Sequence, residues 1–231
     1  MMIMVITGTR KGIGRYLSEY YLGKGFTVIG CSRGETDLQS ENYYHCQVDV
    51  SDEKSVDSFS ASVHKKFGGI DALINNAGIA SMNHFFFTPV STAKRIMDTN
   101  YWGTYHCIRS FINLLKKSEN PRIVNFSTIA LPLILPGEIA YIASKSAVEA
   151  FTKTLAKEIS QFKITVNAIG PTPIDTDLVA HVPKEKLKSL MSQQAINRMG
   201  KFSDVTNVID FFLSPNSDFI TGQILYLGGV N

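Results

Sequence analysis

Tyr141 and Lys145 stand four residues apart within Ala140 to Gln161, a stretch that reads as one long helix with Val148, Phe151, Leu155 and Ile159 along one face. That spacing aims both side chains from the same face of a helix. A phenol titrates at about 10 and is a poor acid or base at neutral pH. An ammonium one turn away favours the phenolate and is expected to lower that value. A tyrosine poised in this way can give a proton to a carbonyl oxygen as hydride arrives, or take one in reverse. A hydroxyl is also needed to hold the substrate oxygen. Ser127 and Thr128 follow the strand-like run Arg122 to Phe126, and either can supply it.

Hydride chemistry requires a carrier, and the other end of the chain offers a cradle for one. Thr7-Gly8-Thr9-Arg10-Lys11-Gly12-Ile13-Gly14 follows the strand Ile3 to Ile6 and opens a helix, Gly12 to Lys24. Gly8 suits a tight turn, Gly12 lets the backbone approach a pyrophosphate, and Gly14 lets helix and strand pack closely. The free N–H groups and dipole of the helix N-terminus attract the anion. A binder of the unphosphorylated dinucleotide usually has a carboxylate at the end of the second strand. Here that strand, Phe26 to Cys31, runs into Ser32 and Arg33 with no acid. Lys11 and Arg33 are therefore expected to reach a ribose 2′-phosphate, with Ser32 adding a hydroxyl donor, which selects NADP(H). One charge-assisted hydrogen bond, discounted for exposure, favours it by about tenfold. Asp49 ends a third strand, Tyr43 to Val48, where it could accept from the adenine amino group or lead a helix as an Asx turn. Asn75-Asn76-Ala77-Gly78 ends the fourth strand, Asp71 to Ile74. In an open α/β sheet, ligands bind outside the carboxyl ends of strands.

The positioning elements alternate along the whole chain. Ser51 is read as the cap of a helix with Val56, Phe59, Val63 and Phe67 at helical steps, and Tyr101 to Leu115 as a second long helix. Two more strands are read at Lys163 to Ala168 and Gln223 to Leu227, and a helix at Lys184 to Met199. Strand and helix in alternation imply a parallel sheet with helices on both faces. The 231 residues form one unit, 1–231, with no linker, and the irregular part, about 172–202, could move as a substrate lid. Hydrophobic residues make up 44%, enough for a large core. A net charge of +3 with 19% charged residues is too small an excess to point to nucleic acid. No apolar run approaches the ~20 residues of a membrane span. Cys31, Cys46 and Cys107 are an odd count without a C-x-x-C pair, and a cytoplasmic, reducing setting is expected. His45, His64, His84, His106 and His181 are scattered without ligand spacing, so no metal is expected.

The glycine run, the Asn75–Gly78 run and Tyr141-Ile142-Ala143-Ser144-Lys145, in this order, resemble the short-chain dehydrogenase/reductase family in its compact branch. The resemblance covers essentially the whole chain and extends to Arg198–Lys201 and Ile220–Gln223. It implies an α/β fold, a single-domain Rossmann-like doubly wound parallel sheet. It implies Tyr141 as the general acid/base, with Lys145 holding the nicotinamide ribose. Asn100 matches an asparagine that steadies a proton-relay water. Thr128 stands thirteen positions before Tyr141, where family members usually carry serine, and is favoured over Ser127. The implied cofactor-binding set comprises Gly8, Arg10, Lys11, Gly12, Ile13 and Gly14 of the turn, then Ser32, Arg33, Asp49 and Val50. Asn75, Ala77 and Gly78 would lie against the adenine-side ribose, and Pro171, Ile174 and Thr176 would orient the nicotinamide, beside Tyr141 and Lys145. Thr172 replaces the usual glycine after Pro171, and Gly228–Gly229 replace a common aspartate.

The expected activity is hydride transfer between NADP(H) and a small-molecule carbonyl or alcohol. The segments 130–138 and 81–89 carry Leu131, Leu133, Ile134, Leu135 and Phe85, Phe86, Phe87, an apolar roof that could favour a lipid-like or acyl substrate. A homodimer or homotetramer is expected, paired through the helices at Tyr101 and Ala140. The competing reading is a dinucleotide-binding sensor or structural protein without turnover. The intact Tyr141, Lys145 and Asn100 favour the enzyme.

Overall fold

The computed structural model describes residues 2–177, 179–180 and 182–230. Leu178 and His181, inside the expected lid, and Met1 and Asn231 lie outside them. Strands β1 (Ile3–Thr7), β2 (Thr27–Ser32), β3 (Tyr43–Gln47), β4 (Ala72–Asn75), β5 (Arg122–Phe126), β6 (Thr165–Gly170) and β7 (Ile224–Tyr226) form one seven-stranded sheet. Its order is β3-β2-β1-β4-β5-β6-β7, and every pairing is parallel. The helices are α1 (Gly12–Gly23), α2 (Glu53–Phe67), α3 (Val90–Met97), α4 (Gly103–Leu115), α5 (Ile139–Glu158), α6 (Lys184–Met191) and α7 (Phe202–Leu213).

Alternation along the strands divides the core into two layers, because successive side chains point to opposite faces. Val5, Ile29, Leu73, Ile123 and Val166 face one way and meet Phe59 and Val63 of α2 and Ile108 and Phe111 of α4. Met4, Ile6, Val28, Ile74 and Val124 face the other way and meet Leu17 and Tyr21 of α1 and Val205, Ile209 and Phe212 of α7. Both faces are covered, which is why the strands read as continuous apolar runs.

Strand order reverses between β1 and β4, so the turns that follow these two strands flank a crevice at the carboxyl edge. The two turns are stitched together there. Asn76 Nδ2 donates to the Thr7 carbonyl at 2.8 Å, and the Ala77 N–H donates to Thr7 Oγ1 at 2.9 Å.

Several sequence expectations are corrected. Asp52, not Ser51, caps α2, accepting from the Lys54 N–H at 3.0 Å. The helix read from Tyr101 begins at Val90 and is interrupted by a π turn, Asp98–Trp102. The helix read over Lys184 to Met199 ends at Met191, and α5 ends at Glu158 before a 3-10 turn, Ser160–Phe162. α7 has no counterpart in the sequence reading, yet it seals one face of the sheet.

Candidate active site

α5 presents Tyr141, Lys145 and Glu149 one turn apart, above the end of β5. Lys145 is buried at 4% exposure, and its Nζ donates to the carbonyl of Phe126, the last residue of β5, at 2.7 Å. The chain leaving β5 is tied to the chain leaving β6: the Ser127 N–H donates to the Ile169 carbonyl at 2.7 Å and the Ile129 N–H to the Pro171 carbonyl at 3.3 Å. This fixes two neighbouring hydroxyls in opposite employments. The Thr128 hydroxyl lies beside Tyr141, close enough to favour its phenolate, and accepts from the Ala130 N–H at 3.1 Å. The Ser127 hydroxyl donates to the buried Glu149 carboxylate, which also accepts from the Tyr226 hydroxyl at 2.6 Å. Thr128 thus faces the tyrosine, and Ser127 is spent behind it.

Asn100 lies in the π turn and is fully buried. A π turn inserts one residue into the helical ladder and recurs at functional sites. Here it turns the Asn100 amide back onto the chain after β4. Its Oδ1 accepts from the Ile79 N–H at 2.8 Å, and its Nδ2 donates to the Ile79 carbonyl and to Ser144 Oγ, each at 2.9 Å. Gly78 closes the group. A Cβ on it would stand 3.3 Å from Asn100 Oδ1 and 3.6 Å from Lys145 Nζ.

The electrostatics differ from the expected pairing. Burial pushes the Tyr141 phenol up to about 12, the neighbouring Thr128 hydroxyl opposes this, and the nearby Glu138 carboxylate adds to it. Burial pushes the Lys145 ammonium down to about 8. Lys145 Nζ stands 5.9 Å from the Tyr141 ring centroid. The net shift of the phenol is therefore upward, against the expected lowering. Loss of water outweighs an ammonium aimed at a backbone carbonyl. Glu138, itself raised by burial and opposed by Lys186 of α6, is a neighbour the sequence reading missed. Its place three residues before Tyr141 was the available signal.

At the opposite end, Gly8 takes φ +77, open to glycine and strained for other residues. A Cβ on Gly14 would fall 2.2 Å from the Gly8 carbonyl oxygen, so α1 presses directly on the turn. Lys11 leads α1 with no side-chain cap, and no acid stands in its first turn. The first amides are thus free of side-chain acceptors, and the cradle fits a dinucleotide pyrophosphate. Ile13 packs against the core layer under α1. Ile174 bridges to Gly200, and Thr176 lies against Gly12, its methyl 3.6 Å from where a Cβ would stand.

Not every expected cofactor residue joins this group. Lys11 reaches Asp177 of the irregular segment after β6 at 2.7 Å, not the β2 end. Arg10 takes that place, its Nη1 3.1 Å from the position of a Cβ on Gly34. Arg33 is exposed and has no ion-pair partner among the described residues. Ser32 donates to the Gly34 carbonyl at 2.7 Å. Asp49 forms the Asx turn, accepting from the Ser51 N–H at 3.0 Å and hydroxyl at 2.7 Å. Val50 is buried against Gly103 of α4. Asn75 donates inward to Asn125 Oδ1 at 2.8 Å and keeps a buried, unpartnered Oδ1. Among the described residues no group of three or more His, Cys, Asp or Glu could hold a metal ion, and no helix is long and apolar enough to cross a membrane.

A doubly wound parallel sheet with a glycine turn at its switch point and a hydroxyl–tyrosine–lysine group at its carboxyl edge defines a nicotinamide oxidoreductase. The chain belongs to the short-chain dehydrogenase/reductase family: the family model described as Enoyl-(Acyl carrier protein) reductase matches residues 8–231. It is 30% identical to the 3-oxoacyl-[acyl-carrier-protein] reductase FabG of Haemophilus influenzae over 98% of this chain and 96% of that one. It is 27% identical to the FabG of Escherichia coli over the same shares. Among solved structures it resembles ligand-free aldohexose dehydrogenase (AldT) of Thermoplasma acidophilum, with TM-score 0.89 and 30% identity over 99% of this chain and 93% of that one. A short chain dehydrogenase family protein of Francisella tularensis matches with TM-score 0.86 and 25% identity, over 98% of this chain and 97% of that one.

Proposed function

We propose that this oxidoreductase is a single-domain enzyme that uses NADP(H) to reduce the ketone of an apolar substrate, foremost a 3-oxoacyl thioester. The observation that carries the reading is the convergence of Thr128, Tyr141 and Lys145 beside the switch-point crevice. When bound, the dinucleotide supplies the hydride. Thr128 and Tyr141 hold the carbonyl oxygen, and Tyr141 gives its proton to that oxygen as the carbonyl carbon is reduced. The Lys145 ammonium steadies the phenolate that remains. A phenol raised to about 12 is fully loaded with its proton at neutral pH, which favours reduction over oxidation.

The cations Arg10 and Arg33 around the β2 end, with no carboxylate there, support the phosphorylated dinucleotide. The roof supports an acyl ketone over a sugar: Phe85, Phe86, Phe87 and Ile134 are exposed and offer no hydroxyl partners. The curated relatives' names support the same substrate class. Tyr101 and Trp102 of the π turn, Tyr105 of α4 and Phe151 of α5 form a ring cluster, with Trp102 exposed, which supports symmetric pairing into a homodimer or homotetramer. Three free thiols support a reducing, cytoplasmic setting. The test is NADPH oxidation with 3-oxoacyl thioesters, an enoyl thioester, simple ketones and aldohexoses. Turnover of the 3-oxoacyl thioester above all others is expected. Turnover of aldohexoses alone refutes the substrate class, and turnover of none refutes the enzyme reading.

A further inference from the structure

His45 of β3 lies beneath the turn Ser32-Arg33-Gly34 and joins it to the glycine turn. On one side its Nε2 is 3.0 Å from the Gly34 carbonyl oxygen and 3.2 Å from Ser32 Oγ. On the other its Nδ1 is 3.0 Å from the Tyr43 hydroxyl and 3.5 Å from Thr9 Oγ1. The Tyr43 hydroxyl donates to Thr9 Oγ1 at 2.9 Å. Thr9 and Tyr43 are buried, and the space they fill exists because residue 30 is glycine: a Cβ there would meet the Tyr43 hydroxyl at 2.3 Å. A carbonyl oxygen only accepts, so Nε2 carries the hydrogen. Gly34 therefore has two donors, His45 Nε2–H and the Ser32 hydroxyl at 2.7 Å.

We infer that His45 sets the preference for the phosphorylated dinucleotide, by keeping the Gly34 carbonyl paired when the Ser32 hydroxyl turns to an incoming ribose 2′-phosphate. The inference rests on the NADP(H) reading above and adds a determinant on a third strand. Ser32 is engaged within the turn, and by itself would have to abandon Gly34 to serve a ligand. With His45 in place the carbonyl keeps one donor, and the hydroxyl is released without leaving an unpaired acceptor. Arg10 lies over the same turn and Arg33 extends from it, so the freed hydroxyl joins two cations in a donor set for a phosphomonoester. An unphosphorylated ribose presents no anion there, and its binding does not draw on the relay.

The test titrates the full-length protein with NADPH, NADH and 2′-AMP, following nicotinamide fluorescence and heat of binding. The wild type is compared with His45→Leu, His45→Gln, Ser32→Ala and His45→Leu/Ser32→Ala. Loss of one charge-assisted hydrogen bond is about tenfold in affinity. His45→Leu is expected to weaken NADPH and 2′-AMP by about tenfold and to leave NADH within about twofold. Ser32→Ala is expected to match it, and the double variant to be no weaker than either single one, because both remove the same contact. His45→Gln keeps an N–H donor and is expected to recover part of the loss. Equal losses for NADPH and NADH, or losses that multiply in the double variant, overturn the inference. Should His45→Leu fail to fold by circular dichroism, His45→Phe, which keeps a ring and carries no donor, with Ser32→Ala provides the same cycle. A wild type that binds NADH as tightly as NADPH overturns the cofactor reading itself, and that outcome is read before any variant is made.

Discussion

Replacing Lys145 with methionine should abolish turnover and yet stabilise the fold at neutral pH. Burial is the sole cause of the fall of its ammonium from 10.5 to about 8. At 1.36 kcal/mol per tenfold change in proton affinity, this corresponds to about 3 kcal/mol of destabilisation whenever the native lysine is charged. The sign follows from proton counting. Below about pH 8 both native and unfolded chains hold the proton, and the native state bears the whole penalty. Between about 8 and 10.5 the unfolded chain binds more protons than the native one, so stability rises with pH and the penalty fades. Methionine has similar length and no charge, so it removes the penalty, but it leaves the Phe126 carbonyl without its donor, a loss of about 1–3 kcal/mol. The variant should gain about 1 kcal/mol at pH 7. Urea unfolding of both proteins at about pH 7 and 9.5 measures the gap between them, and the wild type should recover about 2 kcal/mol relative to the variant over that range. Cys31 and Cys107, raised by burial, titrate identically in both proteins and cancel, and Tyr141, pushed up to about 12, keeps its proton over this range. A gap that does not change with pH would refute the claim that Lys145 is held charged against its desolvation.

Three further outcomes are expected. Thr128→Ala should lower kcat by about a hundredfold, as when one oxyanion donor is lost. Ser127→Ala should keep kcat within a few-fold while lowering stability by about 1–2 kcal/mol; steady-state kinetics that rank the two the other way exclude Thr128 as the holding hydroxyl. Reduction should be flat with pH up to about 8 and fall above it as Lys145 discharges, while the reverse oxidation should climb towards pH 8 as the phenolate fraction grows. kcat/KM in both directions checks this, and reduction that accelerates through pH 8 contradicts it. Arg33→Ala should cut the preference for NADPH over NADH by about tenfold, and Lys11→Ala by less, because Lys11 is drawn to Asp177; Kd values for both dinucleotides decide.

The fold and the position of the site were legible because they depend on short-range patterns. Alternating strands and helices, the glycine turn and the four-residue step from Tyr141 to Lys145 are all local. What was missed depends on contacts between distant parts of the chain. The π turn that buries Asn100 leaves no mark on the apolar period, since one inserted residue shifts the phase of a single turn. The direction of the Tyr141 shift is set by how far the fold buries the phenol, and no spacing encodes that. His45 and Glu149 read as ordinary strand and helix residues, because their partners lie in distant parts of the chain. α7 is a different case: Val205, Ile209 and Phe212 carry the helical step, and the Asp204 carboxylate accepts from the Lys201 N–H at 2.7 Å at the start of the helix, so this element lies within reach of local pattern.

The most direct test follows the hydride. Wild type and Tyr141→Phe are mixed with NADPH deuterated at nicotinamide C4 and a 3-oxoacyl thioester, and the product is weighed by mass spectrometry. The expected result is an alcohol with deuterium on the former carbonyl carbon from the wild type, and none from Tyr141→Phe even though that variant binds NADPH equally well. Labelled alcohol formed by Tyr141→Phe at the wild-type rate would contradict the account.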